Sequence, residues 1–490
     1  MAKKKKRKNA QTLIALVGLL IVMIVAYILL IQHNKKEEQA LEEEEDTSIS
    51  LNEIEESDIK EMHISNNSWD FTLVNEDEIW SLKGEEAFPL DQDAASTLAN
   101  KMASLTATKQ VMEDAEDLSD YGLDSPEITV TITKADDSVL TLKIGNQLAI
   151  DSGYYATLDD DNTVYVVEAL VRNTFVKGKS DLMAFEELPT LSTDLITGIK
   201  VDGSQFSNFS LINDTNNKDD FSGSFLYPWY ISGYYKENAN ADLTAVTELL
   251  SNYVSISFKE GIDYKKENLE QYGLDTPKDA LTISYREEED GDVKELTLYL
   301  GNQDEQGNYY VRLEGSSRTY TMSASSVTNL FDVDVFSITS KTTNMVGIDS
   351  ISNFSVSTGS DSHLYTVDKK TSTDDDGNET TTDVFGVDGV TYDDDTSFRS
   401  FYQSIIGLSV DGILPENATV SDDAVLHISF QLKDENASGS RTYTVEYLPY
   451  DADNYAVRTN DKILFTISKD KITNVIDTIN NFNSTKDTTE

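Results

Sequence analysis

Carboxylates are the most abundant side chains capable of chemistry in this chain, which has 88 acidic and 39 basic residues. They gather in three short clusters, at 159–161, 374–379 and 393–395. Calcium sites need six to eight oxygen ligands, and Asp374, Asp376 and Glu379 are the candidates for weak calcium binding. Adjacent aspartates point apart and the spacing does not fit a calcium loop, so solvated hairpin loops are the preferred interpretation of all three clusters.

The residue types needed for most other enzymatic sites are absent or badly spaced. The four histidines, His33, His63, His363 and His427, form no zinc-binding pair, and the chain has no cysteine. There is no Gly-x-Ser-x-Gly elbow and no glycine-rich phosphate loop. A glycosidase site built from two carboxylates is still an alternative, because the sequence does not show which acidic residues lie close together in space. We expect no catalytic residues, no cofactor and no enzymatic activity.

Tyrosine clusters raise the possibility of stacking on sugar rings. They comprise Tyr154-Tyr155, Tyr309-Tyr310, Tyr227-Pro228-Trp229-Tyr230 and Tyr234-Tyr235. Neighbours on a strand face opposite ways, so one tyrosine of each pair is expected in the core and the other at the surface. Structural packing is the preferred interpretation, and carbohydrate stacking is the alternative.

The N-terminal segment predicts the location of the protein relative to the membrane. Six basic residues between Lys3 and Lys8 precede an uncharged run from Leu13 to Ile31, which is long enough for a helix to span a bilayer. Because basic residues mark the cytoplasmic side, the rest of the chain is expected outside the membrane. No small-x-small site follows the run, which favours an uncleaved signal anchor over a cleaved signal peptide or a buried core helix.

The composition argues against nucleic-acid partners and against disulfide bonds as a source of stability. The formal net charge of −49 repels nucleic acid, and no basic stripe offsets it. Without cysteine the chain cannot use disulfides, so each folded unit must be stable through its own core. The length after the anchor corresponds to two to four domains.

Internal repetition is the strongest organisational signal. The segment Tyr121–Pro126, Tyr-Gly-Leu-Asp-Ser-Pro, returns as Tyr-Gly-Leu-Asp-Thr-Pro at Tyr272–Pro277. Gly-Asn, Tyr-Tyr and Val-Tyr or Thr-Tyr pairs follow both copies in the same order. The repeat-motif residues, interpreted as structural, are Tyr121, Gly122, Leu123, Asp124, Pro126, Gly145 and Tyr155, and then Tyr272, Gly273, Leu274, Asp275, Pro277, Gly301 and Tyr310. A third, divergent copy lacks the turn motif.

Each copy has the same pattern of expected elements. Strand-like segments come first, then a helix capped by Asp91 in the first copy and Asp242 in the second, then the turn and two alternating strands. Period-two alternation predicts strands with one buried and one wet face. The fold class is therefore α+β: a transmembrane helix, then two or three repeated extracytoplasmic units of antiparallel sheet with one main helix each.

The expected domain boundaries follow from these patterns. They are a basic cytoplasmic tail at 1–12, the anchor at 13–31, an acidic stalk at 32–57, repeat units at 58–190 and 191–340, a divergent third unit at 341–480 and a disordered tail at 481–490.

The combined motifs resemble a family of bacterial membrane-anchored repeat proteins catalogued only as a domain of unknown function. The resemblance covers 59–335 well and 346–480 loosely. Members are typically encoded beside ABC-type transport systems and auxiliary proteins resembling gliding-motility components. The resemblance implies an accessory role beside a transporter, and it supplies no catalytic residues.

These observations lead to a functional hypothesis with two alternatives. The chain is expected to be a non-catalytic, single-pass binding or scaffold protein at the bacterial cell surface. Its expected partners are the lipid bilayer, ABC-type transport subunits and, as a further candidate, cell-wall polymer. The alternatives are an envelope polysaccharide-binding protein and an extracytoplasmic hydrolase that uses two carboxylates.

Overall fold

A computed structural model describes residues 48–149, 152–159, 161–215, 227–342, 344–373, 378–433 and 441–486. The predicted tail at 1–12, the anchor at 13–31 and most of the predicted stalk lie outside these ranges. Within them, no helix is both long and apolar enough to cross a bilayer. The chain divides between Ala184 and Phe185 into two compact units.

The first compact unit contains one large antiparallel sheet, and we call its described residues module 1. Its elements are β1 Ile49–Glu53, β2 Ile59–Ser65, β3 Asp70–Glu76, β4 Ile79–Leu82, α1 Gln92–Ala103, β5 Ser104–Ala107, β6 Lys109–Met112, β7 Ile128–Lys134, β8 Val139–Gln147, β9 Tyr154–Leu158, β10 Val164–Val167 and α2 Ala169–Phe175. The sheet order is β4-β3-β2-β7-β8-β9-β10-β6. A separate pair, β1 and β5, lies beside it.

The end of the predicted stalk is wrong, because it forms strand β1. Ile49 pairs with Ala107 of β5, and the amide of Asn52 donates to the carbonyl of Met102 at 2.7 Å. The apolar residues Ile49, Leu51 and Ile54 interrupt the acidic sequence here and give the strand a side that can be covered. Module 1 therefore begins before the predicted boundary at 58.

Residues 185–340, module 2, form the first half of the second compact unit. The elements are β11 Ile196–Asp202, β12 Phe209–Asn213, β13 Trp229–Ser232, β14 Ala239–Asn240, α3 Leu243–Leu250, β15 Glu260–Asp263, α4 Leu269–Tyr272, β16 Asp279–Tyr285, β17 Lys294–Gln303, β18 Tyr309–Leu313, β19 Thr319–Met322 and α5 Ala324–Phe331. The division precedes the boundary predicted at 190 because Phe185 packs edge-on against Phe258 and Tyr320 of this module.

Residues 341–486, module 3, complete the second unit. The elements are β20 Ile351–Thr358, β21 Asp361–Thr373, β22 Glu379–Val387, β23 Val390–Tyr392, α6 Asp395–Ile406, β24 Gly412–Ile413, β25 Leu426–Leu432, β26 Arg441–Pro449, β27 Asn454–Thr459, β28 Lys462–Ser468 and α7 Lys469–Lys486.

One strand order underlies the three large sheets. The orders in modules 2 and 3 are β14-β13-β12-β11-β16-β17-β18-β19-β15 and β23-β22-β21-β20-β25-β26-β27-β28-β24. Both match module 1 apart from an extra short strand, β14 or β23, at one edge. In every large sheet, its first strand after the main helix (β6, β15 or β24) lies at the far edge and pairs with the last strand. The prediction of repeated units of mostly antiparallel sheet with few helices is confirmed.

The main helices begin at aspartate caps and cover one face of their sheets. Asp91 accepts a hydrogen bond from the backbone N–H of Ala94 at 3.1 Å, and Asp242 accepts one from Ala245 at 2.9 Å. These side chains satisfy N–H groups that have no partner inside the helix. Helix α1 buries Leu98 and Met102 on its inner side. In β7 and β16, buried residues alternate with half-buried ones, as period-two patterning predicts.

The predicted disordered tail at 481–490 is wrong for its first residues, since α7 extends to Lys486. Phe482 stacks on Phe401 of α6 with ring centroids 4.0 Å apart. The hydroxyl of Tyr365 donates to the side-chain oxygen of Asn483 at 3.0 Å. Both contacts come from distant parts of the chain, so the local polar composition of this segment does not reveal them.

Module 2 contains a buried carboxylate where the other sheets have an aliphatic residue. Asp279 is 1% exposed, and one of its oxygens accepts the backbone N–H groups of Ser204 and Gln205, both at 2.9 Å. By strand register its counterparts are Ile128 and Leu426. Asp279 thus holds the turn between β11 and β12 against the start of β16.

Substitution of Asp279 by alanine is expected to destabilise module 2 by about 2 kcal/mol, because two backbone donors lose their acceptor. Asp279→Asn keeps an acceptor oxygen and is expected to lose less. The loss of stability in both variants is measured by native-state hydrogen exchange of β11, β12 and β16, detected by mass spectrometry. Equal losses in the two would show that the charge, not the acceptor, stabilises the turn.

Candidate functional site

The two repeated sequence motifs pack directly against each other. Gly122 has a φ of +69°, and a Cβ added there would lie 2.5 Å from the side-chain oxygen of Asn146. A Cβ on Gly145 would lie 2.3 Å from the carbonyl oxygen of Tyr121. The Tyr-Gly-Leu-Asp turn and the Gly-Asn pair therefore form one close backbone contact, which requires glycine on both sides.

Module 2 repeats this contact. Gly273 also has a φ of +69°, with Asn302 2.7 Å from its ideal Cβ, and the ideal Cβ of Gly301 is 2.1 Å from the carbonyl oxygen of Tyr272. The tyrosine rings join the same contact: the centroids of Tyr121 and Tyr155 are 4.9 Å apart, and those of Tyr272 and Tyr310 are 4.8 Å apart.

The remaining motif residues divide into buried and exposed positions. Leu123 and Leu274 are 2% and 0% exposed, so they anchor the turns in the core. Pro126 and Pro277 are half-buried, and Asp124 and Asp275 are exposed. All of these residues lie in the turns that precede β7 and β16, away from any cleft described below.

The tyrosine pairs do not divide into one core and one surface residue, so that expectation is wrong. Tyr154, Tyr155, Tyr309 and Tyr310 are all half-buried. The tyrosines of the Tyr-Gly-Leu-Asp turns pack against Tyr155 and Tyr310 and cover part of their rings.

The other aromatic cluster offers little ring surface to a sugar. Tyr227, Trp229 and Tyr235 are 9%, 5% and 9% exposed. Tyr230 is half-buried, and Tyr234 is 36% exposed. Tyr235 donates or accepts a hydrogen bond with the hydroxyl of Thr339 at 2.6 Å, and burial raises the pKa of Tyr235 to about 12.

Of the three calcium candidates, the structure describes Glu379 alone. Glu379 is exposed at the start of β22, whereas Asp374 and Asp376 lie outside the described residues. Among described residues, no group of three or more histidine or carboxylate side chains has a geometry that could hold a metal ion.

Three histidines each contact a carboxylate on a sheet surface. The pairs are His63 with Asp70 at 3.1 Å, His363 with Asp388 at 2.9 Å, and His427 with Glu446 at 2.9 Å. The third pair extends into a network, since Arg458 donates to Glu446 and to Asp422, both at 2.9 Å.

This network predicts acid sensitivity in module 3. Burial alone would raise the pKa of Glu446, but hydrogen bonds from His427 and Arg458 outweigh it and hold the pKa below its usual range. A carboxylate with a lowered pKa stabilises the fold above its unfolded pKa, near 4.3, and loses that contribution as pH falls further. In Glu446→Gln, the stability that module 3 loses between neutral and acidic pH should therefore be smaller by up to about 1 kcal/mol. The pH dependence of stability is measured by hydrogen exchange in β25 and β26. The pH range is about 3 to 6, which brackets the carboxyl pKa. An unchanged pH slope would contradict the assignment.

A cleft of about 320 Å³ lies inside the second compact unit, where module 2 meets module 3, and we call it the junction cleft. Module 2 contributes Tyr227, residues 237–240 and Ser340, and the start of module 3 contributes Thr342 and Met345. Module 3 contributes Tyr443 and residues of the β27–β28 hairpin.

Aromatic and polar contacts hold the two sides of the junction cleft together. The ring of Phe465 on β28 lies 5.4 Å from that of Tyr235 and 6.3 Å from that of Phe336. The ammonium of Lys462 donates to the backbone carbonyl of Asn238 at 3.1 Å. The hydroxyls of Tyr227 and Thr342 are 2.9 Å apart.

Sequence reasoning did not find the junction cleft. Glu237, Asp461 and Lys462 are polar residues of ordinary loops, and more than two hundred positions separate the first from the others. The sequence signal nearest to the cleft is the aromatic cluster at 227–235, whose pattern predicts core packing or sugar stacking.

Comparison with known protein families identifies the family of this chain. No curated protein and no solved structure matches the chain significantly. The family described as "Domain of unknown function (DUF4340)" matches residues 80–224 and 229–427, a pair of regions consistent with the repetition. Because these regions cover more than half of its length, the chain belongs to the DUF4340 family.

Proposed function

We propose that this protein is a non-catalytic, membrane-anchored extracytoplasmic binding or scaffold protein, accessory to an ABC-type transport system. The observation that carries the proposal is the tandem use of one strand order in three sheets. Each repeated module presents a similar surface to a partner, and the function then depends on particular sites on those surfaces.

The sequence supports the membrane location. The basic residues before Leu13 and the uncharged run to Ile31 are typical of a signal anchor with a cytoplasmic N-terminus. An anchored array of modules lies within reach of other proteins in the same bilayer. The strong negative charge favours basic surfaces on such partners.

The junction cleft in the second unit supports the proposed binding role. The junction cleft is concave, is bordered by polar side chains and is held by aromatic contacts between modules 2 and 3. Concave sites with a few well-placed polar groups are the usual form of binding sites. The burial of Tyr227, Trp229 and Tyr235 weighs against the alternative of polysaccharide stacking.

Cross-linking in intact cells tests this proposal. The full-length protein with a C-terminal tag would be cross-linked, purified in mild detergent and analysed by mass spectrometry. The matched control is residues 1–47 fused to the same tag, which keeps the anchor and lacks the modules. We expect a permease or ATPase subunit of an ABC-type system to be enriched over the control. Equal recovery from both would contradict the accessory role.

A further inference from the structure

The rim of the junction cleft carries two carboxylates from different modules. Glu237 comes from module 2 and Asp461 from module 3, and both side chains are exposed. Within the described residues, neither carboxylate makes a hydrogen bond or an ion pair. Their charges are therefore available to a ligand in the cleft.

The aromatic residues of the junction cleft are too buried to act as a stacking platform. Tyr227, Tyr443 and Phe465 are 9%, 7% and 9% exposed. A ligand would meet their edges and the polar side chains between them, such as Asn238 and Thr459. Recognition must then come from charge and hydrogen bonding rather than from ring faces.

The cleft already accommodates one ammonium group. Lys462 reaches across from module 3 and donates to the carbonyl of Asn238 in module 2. The charged lining thus consists of two carboxylates and one ammonium, which leaves a net negative charge. In a chain of net charge −49, an anionic ligand would be repelled from this position.

We propose that the junction cleft binds a basic side chain, lysine or arginine, of a protein partner. A guanidinium or ammonium group in the cleft is attracted by the carboxylate that each module contributes, and the side-chain oxygens of Asn238 and Thr459 are further acceptors for its N–H groups. The inference rests on the proposed binding role, since a protein partner is what presents the side chain.

Titration of the purified full-length protein in mild detergent tests this inference. The probes are blocked tri-arginine and tri-lysine peptides, with blocked tri-glutamate and chitotriose as comparisons, and binding is measured calorimetrically. We expect the basic peptides to bind and the other two probes not to bind. Affinity should fall as salt is raised, because exposed charges are screened.

A charge-matched pair of double variants locates the binding. Glu237→Gln with Asp461→Asn removes both rim carboxylates and is expected to weaken the basic peptides by about fivefold or more. Glu267→Gln with Asp423→Asn makes the same change in net charge at exposed positions elsewhere in the second unit and should leave affinity unchanged. Both variants alter exposed side chains, so folding should be preserved.

Three results would overturn the inference: no binding of either basic peptide, equal binding by the two double variants, or chitotriose binding that the rim substitutions abolish. Since the titration needs no transport subunit, its outcome is independent of the cross-linking experiment. Failure of cross-linking with successful titration would refute the transporter association alone.

Discussion

Replacement of Gly145 by alanine is expected to destabilise module 1 by about 3 kcal/mol, at the upper end of the range for overpacking. The new methyl group would lie 2.3 Å from the carbonyl oxygen of Tyr121 and 2.9 Å from the backbone of Gly122. These neighbours are main-chain atoms, so no side-chain rotation can relieve the clash. The Tyr-Gly-Leu-Asp turn must instead move away from β8.

Gly178 supplies the matched control within the same module. An added Cβ there would lie 3.6 Å from a carboxylate oxygen of Asp181 and 4.0 Å from the Cβ of Ser68, which are ordinary contacts. Gly178→Ala should therefore be neutral or slightly stabilising, through a less flexible unfolded chain. Hydrogen exchange of β7, β8 and β9 resolves module 1 from the rest of the chain. Similar protection in the two variants would contradict the close-contact interpretation.

Truncation of Phe354 to alanine is expected to destabilise module 3 by about 4 kcal/mol, as large-to-small changes in cores do. The ring is fully buried on β20. It stacks on Tyr365 at 4.6 Å and lies 5.2 Å from Tyr402 and 6.0 Å from Phe430. Its loss would leave a cavity among aromatic rings that cannot readily collapse.

Leu364→Ala is the control for this truncation, because Leu364 precedes Tyr365 on β21 and is 45% exposed. An exposed truncation of this kind should change stability by less than about 0.5 kcal/mol. Exchange protection of β20, β21 and β25 measures both variants. If Phe354→Ala retained the protection of the control, the aromatic cluster would not be the core of module 3.

Much of the fold could be predicted from local pattern. The alternating segments around Ile128 and Leu281 became strands because period-two burial depends only on neighbouring residues. Asp91 and Asp242 cap their helices for the same local reason. Repetition of Tyr-Gly-Leu-Asp and Gly-Asn correctly indicated repeated units, since equal motifs in equal order have the same structural requirements.

Module 3 lacks the two sequence motifs that make modules 1 and 2 recognisable as repeats. By register with β9 and β27, Leu448-Pro449 occupies the place of Gly145-Asn146. The Tyr-Gly-Leu-Asp turn is missing from the same module. The two motifs depend on each other through a direct backbone contact, so one has no reason to be kept without the other.

The sequence by itself determined the alternating strands, the capped helices, the repetition and the expectation of an anchor, because these follow from short-range patterns and composition. Tertiary structure alone decided the pairing of β1 with β5, the helical end of the chain and the junction cleft. Each of these depends on residues far apart in sequence, such as Phe401 with Phe482 and Lys462 with Asn238. Contacts of that kind have no local signature, because only the folded chain brings their members together.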